Sequence, residues 1–279
     1  MVSKNNFSLM ISNICRGLDG AILDRDIQTP SLCISHGIIA RSFNNKDKIY
    51  KEFIADGVFS GESNYFSIQS KTMKDSLSTH KISGQPIITG NAVFSKKQKK
   101  VSKEYFLYAS TLKDFTNFQY YGVETFYEYW NTLKHLNEIA NKKSLRIVVK
   151  LHPTVKNCSR DIKDFFKHLK FSNEKIENLL SKSIGLISYS SSAIEDALNS
   201  EVPVILFDCK KRYKHISTAD LKKNNAAVYY VHDKNQLSYI LKKLSDMKKI
   251  NFKDYIFNKN FNDNFKEKIL PILKLNEEY

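Results

Sequence analysis

The sequence predicts an α/β fold built on a doubly wound parallel sheet, and three observations predict it. Short apolar runs alternate with longer amphipathic stretches over the last two thirds of the chain, as βαβ units require. Glycine (9) and proline (5) are scarce, which excludes collagen-like and proline-rich low-complexity chains, and an apolar fraction of 42% is enough for a packed core. The length of 279 residues admits one large or two modest domains.

The clearest elements follow residue 100. Residues 105–109 read as a buried strand, 123–140 as a helix and 145–151 as a second strand, ended by His152-Pro153 because proline removes a ladder donor. Helical pattern returns at 160–169 and 173–180, the latter capped by Ser172 or Asn173. A strand at 184–188 leads through a serine run into a helix at 192–199 and a strand at 202–207. A strand at 228–231 and helices at 236–247 and 262–270 close the chain. Strands and helices in this order give a parallel sheet of at least about five strands. The first hundred residues alternate with less material, and strand candidates there are 20–23, 31–35, 53–59 and 66–69. The charged run at 96–100 is the expected linker, giving domains of 1–95 and 96–279.

Lysine and arginine number 44 against 29 acidic residues, a net charge of +15 that favours anionic partners: nucleic acid, phosphorylated small molecules or an acidic membrane surface. An abundance of lysine and asparagine is also what an AT-rich genome writes. No apolar run of about 18 residues occurs, and the N-terminus makes a poor secretory signal, so the expected location is the cytoplasm, with the inner membrane face as a peripheral site. Cys15, Cys33, Cys158 and Cys209 form no C-x-x-C pair, so neither a zinc finger nor a disulfide framework is indicated. No obligatory metal or cofactor is expected.

Ligands of open α/β sheets bind at the carboxyl ends of the strands, so the residues just past each strand are the ones to inspect. His36, followed by Gly37, has the pKa range of a general base on a hydroxyl, or is simply a loop histidine. His152 ends a strand before a stiffening proline; it suits a phosphate contact, or terminates the strand and no more. Ser190, Ser191 and Ser192 precede a helix start, where hydroxyls and unpaired N–H groups favour anions and where N-capping is the plain alternative. Thr111 and Lys113 form a hydroxyl-plus-cation pair after the strand at 105–109.

In sequence order, His36-Gly37, Thr89-Gly90-Asn91, the stretch 107–114, Lys150-Leu151-His152-Pro153, and the stretches 187–198 and 202–208 resemble the CDP-glycerol glycerophosphotransferase group. These are GT-B transferases that build teichoic-acid-like and capsular polymers, and the resemblance covers roughly residues 30–210. It implies a GT-B-like fold with a complete C-terminal Rossmann-like donor domain and a shortened acceptor-side α/β domain. It implies a CDP- or CMP-activated donor and a glycan or lipid-linked acceptor. By position it makes His36 the general base and places Lys113 and Thr111 near the donor phosphates. His152 would contact the donor, and Ser190, Ser191 and Ser192 would hold its phosphates, supported by Asp196. The chain departs from the family where Pro-Thr-Trp-Arg is Ser110-Thr111-Leu112-Lys113, so a guanidinium fork becomes a point charge. It also has Gly90-Asn91-Ala92-Val93 in place of Gly-Asn-Pro-Arg, and no Asp directly before the serine motif. Bacterial sialyl- and Kdo-type transferases share the His-Pro and paired-serine motifs, and Leu18-Asp19-Gly20 has one of the two acids of their catalytic element. Two further readings stand beside these: a nucleotide-sugar epimerase on the same architecture, and a basic nucleic-acid-binding protein. Charge spread along the chain, without a helix-turn-helix or RNA-binding signature, speaks against the last.

Overall fold

The computed structural model describes residues 9–13, 29–35, 37–61, 63–90, 102–112, 124–152, 159–256 and 261–271. The strand expected at 20–23 and the linker expected at 96–100 lie outside them. The chain divides into two compact units, one of residues 1–42, 48–93 and 253–279, the other of residues 43–47 and 94–252.

The first unit holds a parallel sheet in the order β1-β2-β3-β4, formed by β1 (Met10–Ser12), β2 (Ser31–Cys33), β3 (Tyr65–Ile68) and β4 (Gln85–Ile88). Helix α1 (Lys48–Phe59) corrects the strand expected at 53–59. Lys51, Ala55 and Val58 are buried at intervals of four and three, with Phe59 beside them, whereas Ile49 and Phe53 face solvent. The aromatic and β-branched content of the segment suggests a strand, but the burial period is helical. Helix α2 (Lys71–Ser76) is capped by Ser70, whose Oγ accepts from Met73 N at 3.1 Å. Cys33, Ile39, Ala55, Val58, Phe59, Phe66, Ile68 and Met73 form one core, and Leu32, Ile87 and Ile269 form another. The C-terminal helix, Phe261–Lys268, returns to this unit, where Asn264 Nδ2 donates to Thr89 O at 3.1 Å.

In the second unit, six parallel strands lie in the order β10-β9-β8-β5-β6-β7. They are β5 (Tyr105–Ala109), β6 (Ile147–Lys150), β7 (Lys170–Ser172), β8 (Ser183–Ser188), β9 (Val204–Phe207) and β10 (Val228–Val231). The chain runs outward from β5 through β6 to β7, then returns to the other side of β5 and runs outward again. That reversal places a topological switch point between β5 and β8.

Helix α3 (Phe126–Lys143) starts three residues later than expected because Thr125 and Glu128 form a capping box: Glu128 N donates to Thr125 Oγ1 at 3.3 Å and Thr125 N to Glu128 Oε2 at 2.8 Å. α4 (Ser159–Phe165) and α5 (Ile176–Ser181) flank β7, a three-residue edge strand too short for its period to show in the sequence. Lys175, rather than Ser172 or Asn173, is the cap residue of α5. α6 (Ala193–Asn199) and α7 (Lys234–Asp246) complete the unit, and Asp233 caps α7 by accepting from Asn235 N and Gln236 N. The central strands are buried almost throughout, β5 and β9 as apolar runs and β8 as an apolar run between Ser183 and Ser188, as expected for a parallel sheet covered on both faces.

Candidate functional site at the switch point of the second sheet

Register brings three strand ends level. Ala109 pairs with Lys150 on one side and with Ser188 on the other. The residues that follow each strand therefore emerge along one edge: Ser110-Thr111 from β5, Leu151-His152 from β6, and Tyr189 to Ser192 from β8. Two strand spacings, about 10 Å, separate the β6 and β8 positions. Ser188 Oγ donates to Ala109 O at 2.9 Å, tying β8 to β5 at the switch point itself.

The serines divide their work. Ser188 is fully buried, and its Oγ also accepts from Ser191 N at 3.4 Å. Ser191 Oγ accepts from Ala193 N at 3.2 Å. Ser192 is exposed and makes no side-chain cap bond although it is the N-cap of α6, and Ser190 is half-buried. Asp196 is buried in the first turn of α6. His152 is half-buried just past β6. His152, Ser190, Ser191 and Ser192 thus follow strand ends on the same edge of one sheet, and Asp196 lies in the helix that the serines enter. His36 and Lys113 lie outside the described residues.

Thr111 is on that edge too, but its hydroxyl is engaged within the loop: it donates to Glu124 Oε2 at 3.1 Å and accepts from Glu124 N at 3.1 Å, while Thr111 N donates to Oε2 at 2.8 Å. Tyr108 Oη donates to Glu124 Oε1 at 2.6 Å. Burial pushes the Glu124 carboxyl pKa up against the pull of these donors, and burial followed by the adjacent Glu124 pushes the Tyr108 phenol up. Thr111 and Glu124 tie the end of β5 to the residue before the cap of α3.

The loop after β9 carries little signal in the sequence. Asp208, at the end of β9, accepts from Lys210 N at 2.9 Å, Arg212 N at 2.7 Å, Tyr213 N at 2.8 Å and Tyr230 Oη at 3.1 Å, and so folds the loop around its own carboxylate. Arg212 makes a two-pronged bond to Glu128, Nε to Oε1 at 2.9 Å and Nη2 to Oε2 at 2.7 Å, and its guanidinium lies 5.3 Å from the centre of the Tyr189 ring. Burial works to lower the Arg212 pKa, but Glu128 and Tyr189 hold it above the ordinary value. The Tyr189 phenol is pushed far up by burial. Burial, then Asp208, raises the Cys209 thiol to about 11, which leaves it a poor nucleophile. Finally, His215 Nε2 and Glu195 Oε1 are 2.6 Å apart, linking this loop to α6. The one signal for these residues is Asp208 closing an apolar strand; Arg212 and His215 sit in a basic run that reads as surface charge. Among the described residues no three metal-ligating side chains converge, and no helix is long and apolar enough to cross a membrane.

Solved structures share this fold. The chain superposes on the UDP-GlcNAc 2-epimerase of Methanocaldococcus jannaschii with a TM-score of 0.61 at 18% identity, over 94% of this chain and 75% of that one. It superposes on the wall teichoic acid polymerase TagF with a TM-score of 0.58 at 14% identity, over 98% and 74%. The fold is GT-B-like. TarM gives a TM-score of 0.55 at 13% identity over 95% of this chain, which spans 54% of TarM's length. No protein-family model matches the sequence, and a comparison with curated proteins finds no match.

Proposed function

We propose that this chain is a GT-B-type transferase that moves glycerol phosphate or a sugar from a CDP- or CMP-activated donor to a cell-surface polysaccharide or lipid-linked glycan. The observation that carries this reading is the switch point between β5 and β8, where ligands of doubly wound sheets bind and where the serine turn 190–192 lies. The resemblance to the CDP-glycerol group supports it, as does the fold shared with TagF, one structure of which was obtained with CDPG.

In this reading His36 takes the proton of the acceptor hydroxyl, whose oxygen attacks the donor phosphorus or anomeric carbon. CMP leaves with the bonding pair when the donor is CDP-glycerol or a CMP-sugar, and CDP leaves when it is a CDP-sugar. Fixed donors at Ser190, Ser191 and Ser192, with His152 and Lys113, meet the charge that develops on the leaving phosphate, and donors preorganised in this way commonly supply the greater part of the rate enhancement. Asp196 supports the turn from α6, and Thr111 acts through the loop it builds with Glu124. The net charge of +15 favours such an anionic donor and draws the chain toward an acidic membrane surface.

A second reading, a UDP-sugar epimerase, draws on the fold shared with the M. jannaschii enzyme and with the Staphylococcus aureus protein MnaA, solved with UDP. Thermal-shift screening of CDP, CMP and UDP, followed by product analysis with the stabilising donor, separates the two, since epimerisation consumes no acceptor. Transfer that is lost in His36→Ala and Ser191→Ala proteins with unchanged melting supports the transferase. A protein that neither transfers nor hydrolyses any cytidine-activated donor, yet binds another nucleotide tightly, excludes it.

A further inference from the structure

Glu195, the third residue of α6, and His215, in the loop after β9, have no part in the scheme above. Their side chains are 4% and 9% exposed, and a 2.6 Å contact joins them. Glu195 Oε2 and His215 Nδ1 are buried with no hydrogen-bond partner. As a stabilising device this is poor: desolvation offsets most of the attraction in a buried pair, and each unpartnered atom adds a penalty. Ile194, Ala197 and Leu198 already pack α6 onto the unit by apolar contact. What the pair adds is direction, because a short bond between a carboxylate and an imidazole fixes the rotation of the first turn of α6, and with it the serine turn that enters the helix. The loop that carries His215 also meets the residue that precedes the turn. Arg212 lies over the ring of Tyr189, the residue directly before Ser190, and the rings of Tyr189, Tyr213 and His215 follow one another at 5.7 and 6.1 Å. Tyr189, Tyr213, His215, Glu195 and the serine turn thus form a closed circuit.

We propose that Glu195 and His215 are positioning residues for the turn 190–192, holding α6 and the post-β9 loop at the spacing that a bound donor requires. This rests on the donor reading of that turn. Titration calorimetry of the full chain with CDP tests it, using Glu195→Leu/His215→Leu, which replaces both partners with apolar groups and spares the fold a lone buried charge, together with His215→Ala, His215→Gln and Ser191→Ala. The double variant is expected to melt no lower than the parent yet to bind CDP at least about tenfold more weakly. His215→Gln, which restores a donor to Glu195 Oε1, is expected to recover affinity to within about threefold, and His215→Ala is not. Parental affinity in the folded double variant overturns the positioning role and leaves the donor reading standing. Unfolding of the double variant makes the pair a fold requirement and also overturns it. If the parent protein binds none of CDP, CMP and UDP, or binds CDP equally well as Ser191→Ala, the donor reading falls and this inference falls with it.

Discussion

Removing the Glu124 carboxylate tests whether one buried group ties the end of β5 to the start of α3. Glu124 is 2% exposed, and Tyr108, its closest partner, is fully buried. Glu124→Ala strands the Tyr108 hydroxyl and the Thr111 N–H, which lose acceptors at 2.6 and 2.8 Å. At roughly 1–3 kcal/mol for each orphaned buried donor, the expected loss is about 2–6 kcal/mol, a large part of the roughly 5–15 kcal/mol that holds a domain together. Glu124→Gln keeps the volume and one carbonyl oxygen, so its cost is about 1–2 kcal/mol. Tyr108→Phe removes the donor instead, and because the two residues share a bond, the double variant should fall short of the sum of the single effects by about 1 kcal/mol or more. Equilibrium urea unfolding measures all four. The pH dependence has a definite sign. Burial raises the folded-state pKa of Glu124 above its ordinary 4.5, so the folded chain holds this proton more tightly than the unfolded one. Its contribution is therefore complete below about 4.5 and is lost as pH rises through the folded value, a slope that Glu124→Gln should remove. A cost below about 1 kcal/mol for Glu124→Ala, or strict additivity with Tyr108→Phe, refutes the argument.

Arg212→Lys keeps the charge but loses the fork that grips both oxygens of Glu128, a residue that also completes the cap of α3; a loss of about 1–2 kcal/mol is expected by urea unfolding, and parity with the parent would show that the fork is immaterial. Gly84→Ala would place a Cβ 2.5 Å from Ser63 O and 3.3 Å from Asn64 O, so strand β4 must shift; about 1–3 kcal/mol is expected, and an unchanged melting temperature would contradict it. His80, His135 and His232 all have pKa values lowered from 6.5, chiefly by burial. Their folded forms bind protons less readily than the unfolded chain, so their contribution is present above about 6.5 and fades as pH falls, and melting temperature should drop between about pH 7 and 5. Substituting His135 and His232 with Gln should flatten that drop in a fluorescence melt, and a profile as steep as the parent's would assign it to other groups.

Most of the second sheet is legible in the sequence because its central strands are continuous apolar runs. Residues 105–109, 184–188 and 228–231 mark β5, β8 and β10 to within a residue, and the serine run marks the turn after β8. The failures have local causes. Residues 53–59 carry strand-like composition on a helical burial period, and β7 is three residues long, too short for any period to register. At the site, the family resemblance singles out Asp196, whereas its neighbour Glu195 is the residue that meets His215, 20 positions away. Thr111 stands out as a hydroxyl beside a strand end, and its partner Glu124 enters only because the chain returns there 13 residues later.

Local pattern alone specifies the alternation of strand and helix, the parallel sheet and the strand ends that carry polar residues. These are matters of local periodicity, written in side chains a few positions apart. The order β10-β9-β8-β5-β6-β7, and hence which two strand ends flank the switch point, comes from long-range packing. Only it returned residues 253–279 to the first unit and joined Glu195 to His215, Arg212 to Glu128 and Glu124 to Tyr108. The physical reason is common to all of them. A buried charge or hydroxyl must find a partner, and the partner lies wherever the packed chain brings it, at a sequence distance that no local pattern records.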